Sequence, residues 1–377
     1  MSDTSRRYHA IKQGLMHFYH PRPTGHCERH LNTLVALICG LTGGRHAHLS
    51  TIADYAPSHG ATQANLIKRF QRFLQHAAQT VDQWFLPVAH ALLQALAHQP
   101  IRLVMDGRVV GRGCLALMIS VVYHGRALPI VWVVVAATKG HFPEATHRAL
   151  LAQVHHLMPP EATVIFLGDG EFDGVDLQAD LSGLGWQYGC RTASNILITA
   201  DGVECSVGAV APALGEALAV TPAWMTAARY GPISLLAVWE PPSEHPLYLV
   251  TNLSDLDAAR AQYRYRAHLE TFFSDQKSRG FHVHKSHLRD PARVSRLLIA
   301  ACLASLWLVY LGVCALRDDW LRYLHRPDRC DLSRFRLGLR LLARCLKDDL
   351  PIPDGFLVPA GAPPARLRPM PAQAQAA

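Results

Sequence analysis

The 377-residue sequence has no CxxC pair, and its nine cysteines, at 27, 39, 114, 190, 205, 302, 314, 330 and 345, are scattered and odd in number. That argues against a zinc ribbon and a disulfide framework and fits a reducing cytoplasm. The opening MSDTSRRYHAIKQGL contains no apolar stretch of the kind a secretory signal needs. His17, His20, His26, Cys27 and His30 crowd the N-terminal region, but their spacing matches no standard zinc finger. Polar bias and simple repetition are also lacking. Half of the residues are apolar, which excludes a disordered tail or a fibrous repeat as the whole molecule. The length provides for two or three domains around a large core.

What is present is an uneven charge. The net charge is +8 with His neutral. Residues 1–100 carry 9 basic and 4 acidic groups, residues 101–259 carry 8 and 15, and residues 260–350 carry 18 and 9. Basic flanks suit a polyanion such as nucleic acid. An acidic centre beside a polyanion is reconciled by bound cations, although surface variation alone also produces such a pattern.

Residues 1–97 read as helical. Leu31–Leu41 is an apolar run stopped by Gly43-Gly44, and Leu49–Tyr55 is a short helical pattern broken by Pro57 and Gly60. Thr62 is a candidate cap for Gln63–His76, whose apolar stripe is Leu66, Ile67, Phe70, Phe73 and Leu74, and which carries Lys68, Arg69 and Arg72. A short helix followed by a basic amphipathic helix suggests a helix-turn-helix-like DNA-binding domain, with plain helix packing as the alternative.

From residue 98 the period changes. Arg102–Met105 reads as a buried strand ending at Asp106, and Leu115–Tyr123 and Ala127–Ala136 form a hairpin across His124-Gly125-Arg126. Glu144–Met158 is helical, Thr163–Leu167 is a strand ending in Gly168-Asp169-Gly170, Asp173–Leu184 is helical with Asp173 as its cap, and Trp186–Arg191 is a strand. This order predicts an α/β fold, a mixed sheet flanked by helices. Residues 192–255 read as a β-rich insertion, with pieces at Asn195–Ile198, Ser234–Trp239 and Leu247–Asn252, and residues 256–350 return to helix. Leu297–Leu316 holds 20 uncharged residues, long enough for a membrane span, and is read here as a core helix. Asp331–Lys347 is a basic amphipathic helix, and residues 351–377 form a Pro- and Ala-rich tail expected to be disordered.

Two carboxylates at neighbouring strand ends, Asp106 and Asp169, repel unless a cation lies between them, and Mg²⁺ is a hard ion suited to oxygen ligands. Capping of the following elements is the plainer role for both. A third carboxylate, Glu270, stands on the helical stretch Ala258–Arg279 with Tyr263, Arg266 and Lys277. At 100° per residue these four fall within a sector of about 60° on one helix face. A phenol, a guanidinium, a carboxylate and an ammonium do not make a packing stripe. An ion-pair face remains possible, but the set suits phosphate and metal together.

The spacing Tyr263-x₂-Arg266-x₃-Glu270-x₆-Lys277 resembles the Y-R-E-K signature of a large family of bacterial insertion-sequence transposases, DDE enzymes with an RNase H-like catalytic core. Asp169-Gly170-Glu171-Phe172, Leu249-Val250-Thr251-Asn252-Leu253 and Lys277-Ser278-Arg279-Gly280-Phe281 are similar to the family's surrounding words, and the resemblance covers about 100–345. It is weaker in residues 1–97, where Lys68–Leu74 is similar to a basic stretch of relatives. The resemblance implies that Asp106, Asp169 and Glu270 form the catalytic, metal-binding triad. Tyr263, Arg266 and Lys277 would contact DNA phosphates, and residues 192–255 would be the family's insertion between the second Asp and the Glu. Two departures stand out: Gly107-Arg108 follow Asp106 where a small hydroxyl residue is usual, and Gly170 stands where Arg is usual.

The implied reaction is cleavage of transposon ends and their joining to target DNA, with two Mg²⁺ ions (Mn²⁺ being possible) held by the triad. The implied partner is double-stranded DNA, both terminal inverted repeats and target, bound by a dimer in the synaptic complex. The implied location is the bacterial cytoplasm at the nucleoid, with no membrane partner. Some relatives flip a base onto a Trp of the insertion. Trp224 and Trp239 are the candidates, against a structural role for both. An RNase H-like nuclease and an inactive DNA-binding descendant are the competing functions.

Overall fold

The computed structural model describes residues 1–357 except 124, 139, 277–279 and 327–329, with the side chains of 269–271 and 276 also left aside. The expectation of a disordered tail falls largely outside these residues. In chain order the elements begin with helices α1 (Asp3–Met16), α2 (Gly25–Gly44), α3 (Leu49–Tyr55), α4 (Gln63–Gln75), α5 (Val81–Trp84) and α6 (Leu86–Leu96). Strands β1 (Ile101–Gly111), β2 (Cys114–Tyr123) and β3 (Arg126–Ala136) follow, then α7 (Glu144–Leu157), β4 (Val164–Gly168), α8 (Val175–Gly183) and β5 (Gln187–Arg191). Next come β6 (Leu197–Ala200), β7 (Val203–Ser206), β8 (Ala217–Met225), β9 (Tyr230–Val238) and β10 (Leu247–Thr251). The chain continues through α9 (Leu256–Tyr263), a 3₁₀ turn (Arg264–Ala267), α10 (His268–Gln276), α11 (Pro291–Arg317), α12 (Leu321–Leu324) and α13 (Arg334–Lys347). They fall into two compact units. A helical unit comprises Met1–Ala95, Val109–Cys114 and the chain from Phe273 onward, and a sheet unit comprises Leu96–Arg108 and Leu115–Phe272.

The sheet unit is built on ten strands in the order β3-β2-β1-β4-β5-β10-β9-β8-β6-β7. β1 pairs parallel with β4, Ile101 opposite Val164 through Val104 opposite Leu167, and β4 pairs parallel with β5. Parallel neighbours need crossovers, and α7 and α8 supply them. This is the mixed sheet flanked by helices that the strand–helix alternation predicts. β2 and β3 are apolar along nearly their whole length because they are covered on both faces. The β-rich segment 192–255 extends the same sheet. β10 pairs antiparallel with β5, and β9, β8, β6 and β7 extend the same sheet outward.

In the helical unit α4 buries Leu66, Phe70, Phe73 and Leu74, and Thr62 accepts the Asn65 amide at 3.3 Å as its cap. The expected helix-turn-helix is not a tight one. Seven residues, 56–62, separate α3 from α4, where that motif uses a turn of about three or four.

The long apolar run is α11, 27 residues capped by Asp290, which accepts the Arg293 amide at 2.8 Å, with Pro291 in its first turn. Its most apolar window is 94% buried within the protein, as a core helix requires. Gly312 and Gly338 let α11 and α13 approach closely. A Cβ at 312 would meet the Arg334 carbonyl, and one at 338 the Leu308 carbonyl. α13 turns Phe335, Leu337, Leu341, Leu342 and Cys345 inward, as its amphipathic sequence predicts. All nine cysteines are free.

Candidate active site

Asp106 does not end its strand. β1 continues to Gly111, because residues 107–111 belong to a hairpin with β2. What ends near Asp106 is the parallel ladder with β4, whose last paired residues are Val104 and Leu167. Carried two residues further, that register sets Asp106 opposite Asp169, the first residue after β4. The side-by-side placement thus holds, with a mid-strand carboxylate beside a terminal one.

The electrostatics of the pair follow from that placement. Burial first, and the Asp169 charge after it, push the Asp106 carboxyl up to about 6. Arg266, the Gly107 amide and Arg108 act in the opposite sense. The Gly107 N–H donates to Asp106 Oδ1 at 2.8 Å. Arg266 Nη2 donates to Asp169 Oδ2 at 2.5 Å, with both side chains about a quarter exposed (23% and 28%). A guanidinium therefore lies where two carboxylates converge.

Arg266 reaches Asp169 from a broken helix rather than the single Ala258–Arg279 helix that the sequence predicts. The 3₁₀ turn Arg264–Ala267 interrupts it, bringing Tyr263 and Arg266 nearly into line because residues three apart eclipse at three residues per turn. Arg102 on β1 donates to Gln262 at 2.6 Å and sits 4.4 Å over the Tyr265 ring, which ties this turn to the sheet. Tyr263 packs on the β9–β10 cluster of Leu236, Val238 and Leu249, and burial pushes its phenol up to about 12. Glu270 lies on α10, four residues beyond Arg266, but its side chain lies outside the described residues, as does Lys277 altogether.

A cleft of about 660 Å³ opens beside the pair, lined by Asp169, Gly170, Glu171, Arg191, Thr192, Ser194, His141, His245 and Tyr248. Glu171 is bound into the fold. Its Oε1 accepts the Phe142 amide at 2.7 Å, and its carboxylate lies 3.1 Å from His141 Nδ1 and 3.5 Å from the buried His147 Nε2. It anchors the segment before α7 to the turn after β4. Asp173 is not the cap of α8. Gly174 holds that position, and Asp173 Oδ2 accepts the Thr192 hydroxyl at 2.6 Å. Sequence reasoning missed Arg191, His141 and His245, because no local pattern joins the ends of β5 and β10 to the α7 approach.

Residues 106–307 match the family described as Transposase DDE domain, a span that begins on Asp106 itself and covers more than half of the chain. The chain belongs to that family. No curated protein matches it. Among solved structures it is similar to a piggyBac transposase in a synaptic complex with hairpin DNA, at 10% identity and a TM-score of 0.48, over 93% of this chain and 81% of that one.

For a DDE transposase domain the donor set is coherent. Asp106 and Asp169 are two neighbouring carboxylates, the second bonded to the Arg266 guanidinium and the first within reach of its charge. Among the described residues no third His, Cys, Asp or Glu completes a metal-binding group. The third acidic position, Glu270, is the one whose side chain is not described.

The basic residues of α4 divide. Lys68 and Arg72 are exposed, one turn apart. Arg69 turns inward, its Nε donating to Thr33 Oγ1 at 2.8 Å, which makes it a tether between α4 and α2. Trp224 and Trp239 are both half-buried, and Trp239 Nε1 donates to the Ser243 carbonyl at 3.0 Å.

Proposed function

We propose that this chain is a cut-and-paste DNA transposase of the bacterial insertion-sequence type with the Y-R-E-K signature. It cleaves the terminal inverted repeats of its element and joins the freed 3′-hydroxyl ends to target DNA. The observation that carries this reading is the Asp106–Asp169 pair at the parallel β1–β4 junction, bridged to the signature turn through Arg266.

The carboxylates fit a divalent metal. A buried acid raised by a neighbouring acid gains most when a cation replaces its proton. Asp106 and Asp169, with Glu270, would hold two Mg²⁺ or Mn²⁺ ions, which supply Lewis-acid activation of the attacking and leaving oxygens when bound. The chain itself supplies placement and charge. Asp106 sheds its proton above about pH 6 and becomes a ligand. Arg266 holds Asp169 through Nη2, and its guanidinium sets a positive charge beside the carboxylates where a phosphate would approach. Tyr263 and Lys277 contact the same backbone, Tyr263 from a ring fixed against β9 and β10. Lys68 and Arg72 grip flanking duplex. Two copies act together on two ends, in the bacterial cytoplasm at the nucleoid.

The test is a joining assay on end-sequence duplexes with Mg²⁺. Ends carrying a 3′-hydroxyl should yield branched or inserted products, and 3′-dideoxy ends should be bound but not joined. Nicking without joined product from hydroxyl ends would mark an RNase H-like nuclease instead. Binding without any cleavage would mark an inactive descendant.

A further inference from the structure

A second cleft, of about 530 Å³, lies wholly within the helical unit. His46 and His48 reach it from the link between α2 and α3, Arg112 from the β1–β2 turn, and His284, Lys285 and His287 from the segment before α11. The parts are tied together. The Arg112 amide donates to the Leu288 carbonyl at 3.1 Å, and the Cys114 thiol to the Arg289 carbonyl at 3.2 Å. His46 stacks on His282 at 5.2 Å with the rings 20° apart, and His48 meets His287 edge-on at 5.2 Å.

This concentration of like charge is unfavourable by itself. Burial lowers the pKa of His46, and His282, His48, Lys285 and His287 lower it further. Burial likewise lowers His282, with Lys285 and Arg45 adding to the effect. The backbone is strained in the same place. Arg45, His282 and His287 all adopt left-handed φ, at 51°, 51° and 62°. Non-glycine residues rarely adopt this backbone, and such strain concentrates at ligand sites. Among the described residues no carboxylate lines the cleft. Nor, among them, do any three imidazoles stand where they would share a metal ion. Converging cations and donors, with no carboxylate among the described lining residues, fit an oxyanion.

We infer that this cleft binds a backbone phosphate of duplex DNA, gripped by Arg112 and Lys285 and hydrogen-bonded by the imidazoles of His46 and His48. The inference rests on the DNA-transposing function proposed above and adds a grip outside the carboxylate site and outside the basic face of α4. An anion beside His46 favours the protonated imidazole that burial and the neighbouring cations disfavour, so binding strengthens as pH falls.

The test is fluorescence anisotropy of a random-sequence duplex with the full chain across a salt series. Arg112→Ala/Lys285→Ala should weaken binding about tenfold or more and reduce the slope of log affinity against log salt by about 1, one lost phosphate contact being worth about 0.9. His46→Gln/His48→Gln should keep the slope near pH 8 and lose the gain in affinity that wild type shows on moving to pH 6. An unchanged slope and affinity in the Arg112/Lys285 variant overturns the site. Millimolar inorganic phosphate displacing the duplex at constant ionic strength overturns the assignment to DNA in favour of free phosphate. If wild type binds no duplex at all, the transposase reading falls with it. If wild type binds and the Arg112/Lys285 variant binds equally, only this site falls.

Discussion

Replacing Asp106 with Asn should make the protein more stable and catalytically dead, and the size of the gain can be worked from the structure. The folded-state carboxyl titrates at about 6 and the unfolded one near 3.8. The folded state therefore holds the proton more tightly. Below about pH 4 both states are protonated and Asp106 adds no penalty. As pH rises through the window from about 4 to 6, the unfolded state ionises first and stability is lost. Above about pH 6 the full penalty is present. About two pKa units at roughly 1.4 kcal/mol each sets it near 3 kcal/mol, an order-of-magnitude figure. Asn is isosteric and keeps an oxygen to accept the Gly107 amide, so it removes the penalty with little else. In urea unfolding with a chelator present, Asp106→Asn should match wild type near pH 4 and exceed it by about 2–3 kcal/mol near pH 8. Added Mg²⁺ should then stabilise wild type and not the variant, since only wild type keeps the donor set. A variant equal to or less stable than wild type at pH 8, or a gain of the same size at both pH values, would refute the placement of Asp106 in a buried, like-charged pair.

Three further outcomes are expected. Gly338→Leu should destabilise the helical unit by at least 1–3 kcal/mol, as overpacking does, because its side chain meets the Leu308 carbonyl of α11; a urea midpoint unchanged from wild type would contradict the close α11–α13 crossing. Arg69→Met should cost about 1 kcal/mol of stability, the worth of its bond to Thr33, whereas Lys68→Ala should leave the midpoint alone and flatten the salt dependence of duplex binding by about one contact; the reverse pattern would reassign the two side chains. Glu171→Gln should remove the charge facing His141 and His147 while keeping the Phe142 amide bond. Cleavage should fall by roughly 10²-fold or less, the scale of one misplaced group, and a loss as complete as that of Asp169→Asn would make Glu171 a ligand rather than an anchor.

The acidic pair was legible because both residues follow apolar strand patterns that a parallel sheet sets side by side. The continuation of β1 past Asp106 was not, since Gly107–Gly111 has little apolar alternation and is ordered by its hairpin with β2. The same limit applies to the signature helix. Nothing in Arg264-Tyr265-Arg266 breaks a helix, and the 3₁₀ turn appears where Arg102 holds Gln262 and Tyr265, a tertiary contact overriding local propensity. The apolar run Leu297–Leu316 was resolved by α13, whose buried face and Gly338 cover part of α11. The β-like pieces of 192–255 were visible as strands, but their addition to one sheet through β10 depends on pairing with β5 that no local pattern encodes. The histidines of the second cleft lie more than two hundred residues apart in the chain and converge only in the fold.

The central claim is that Asp106, Asp169 and Glu270 act together in phosphoryl transfer. It is tested most directly by incubating a plasmid bearing the element's own terminal repeats with the full chain, Mg²⁺ and target DNA. Excised and joined products should form with wild type. Asp106→Asn, Asp169→Asn and Glu270→Gln should each bind the ends as wild type does and yield no product. Joined product from any one of the three at the wild-type rate would contradict the claim.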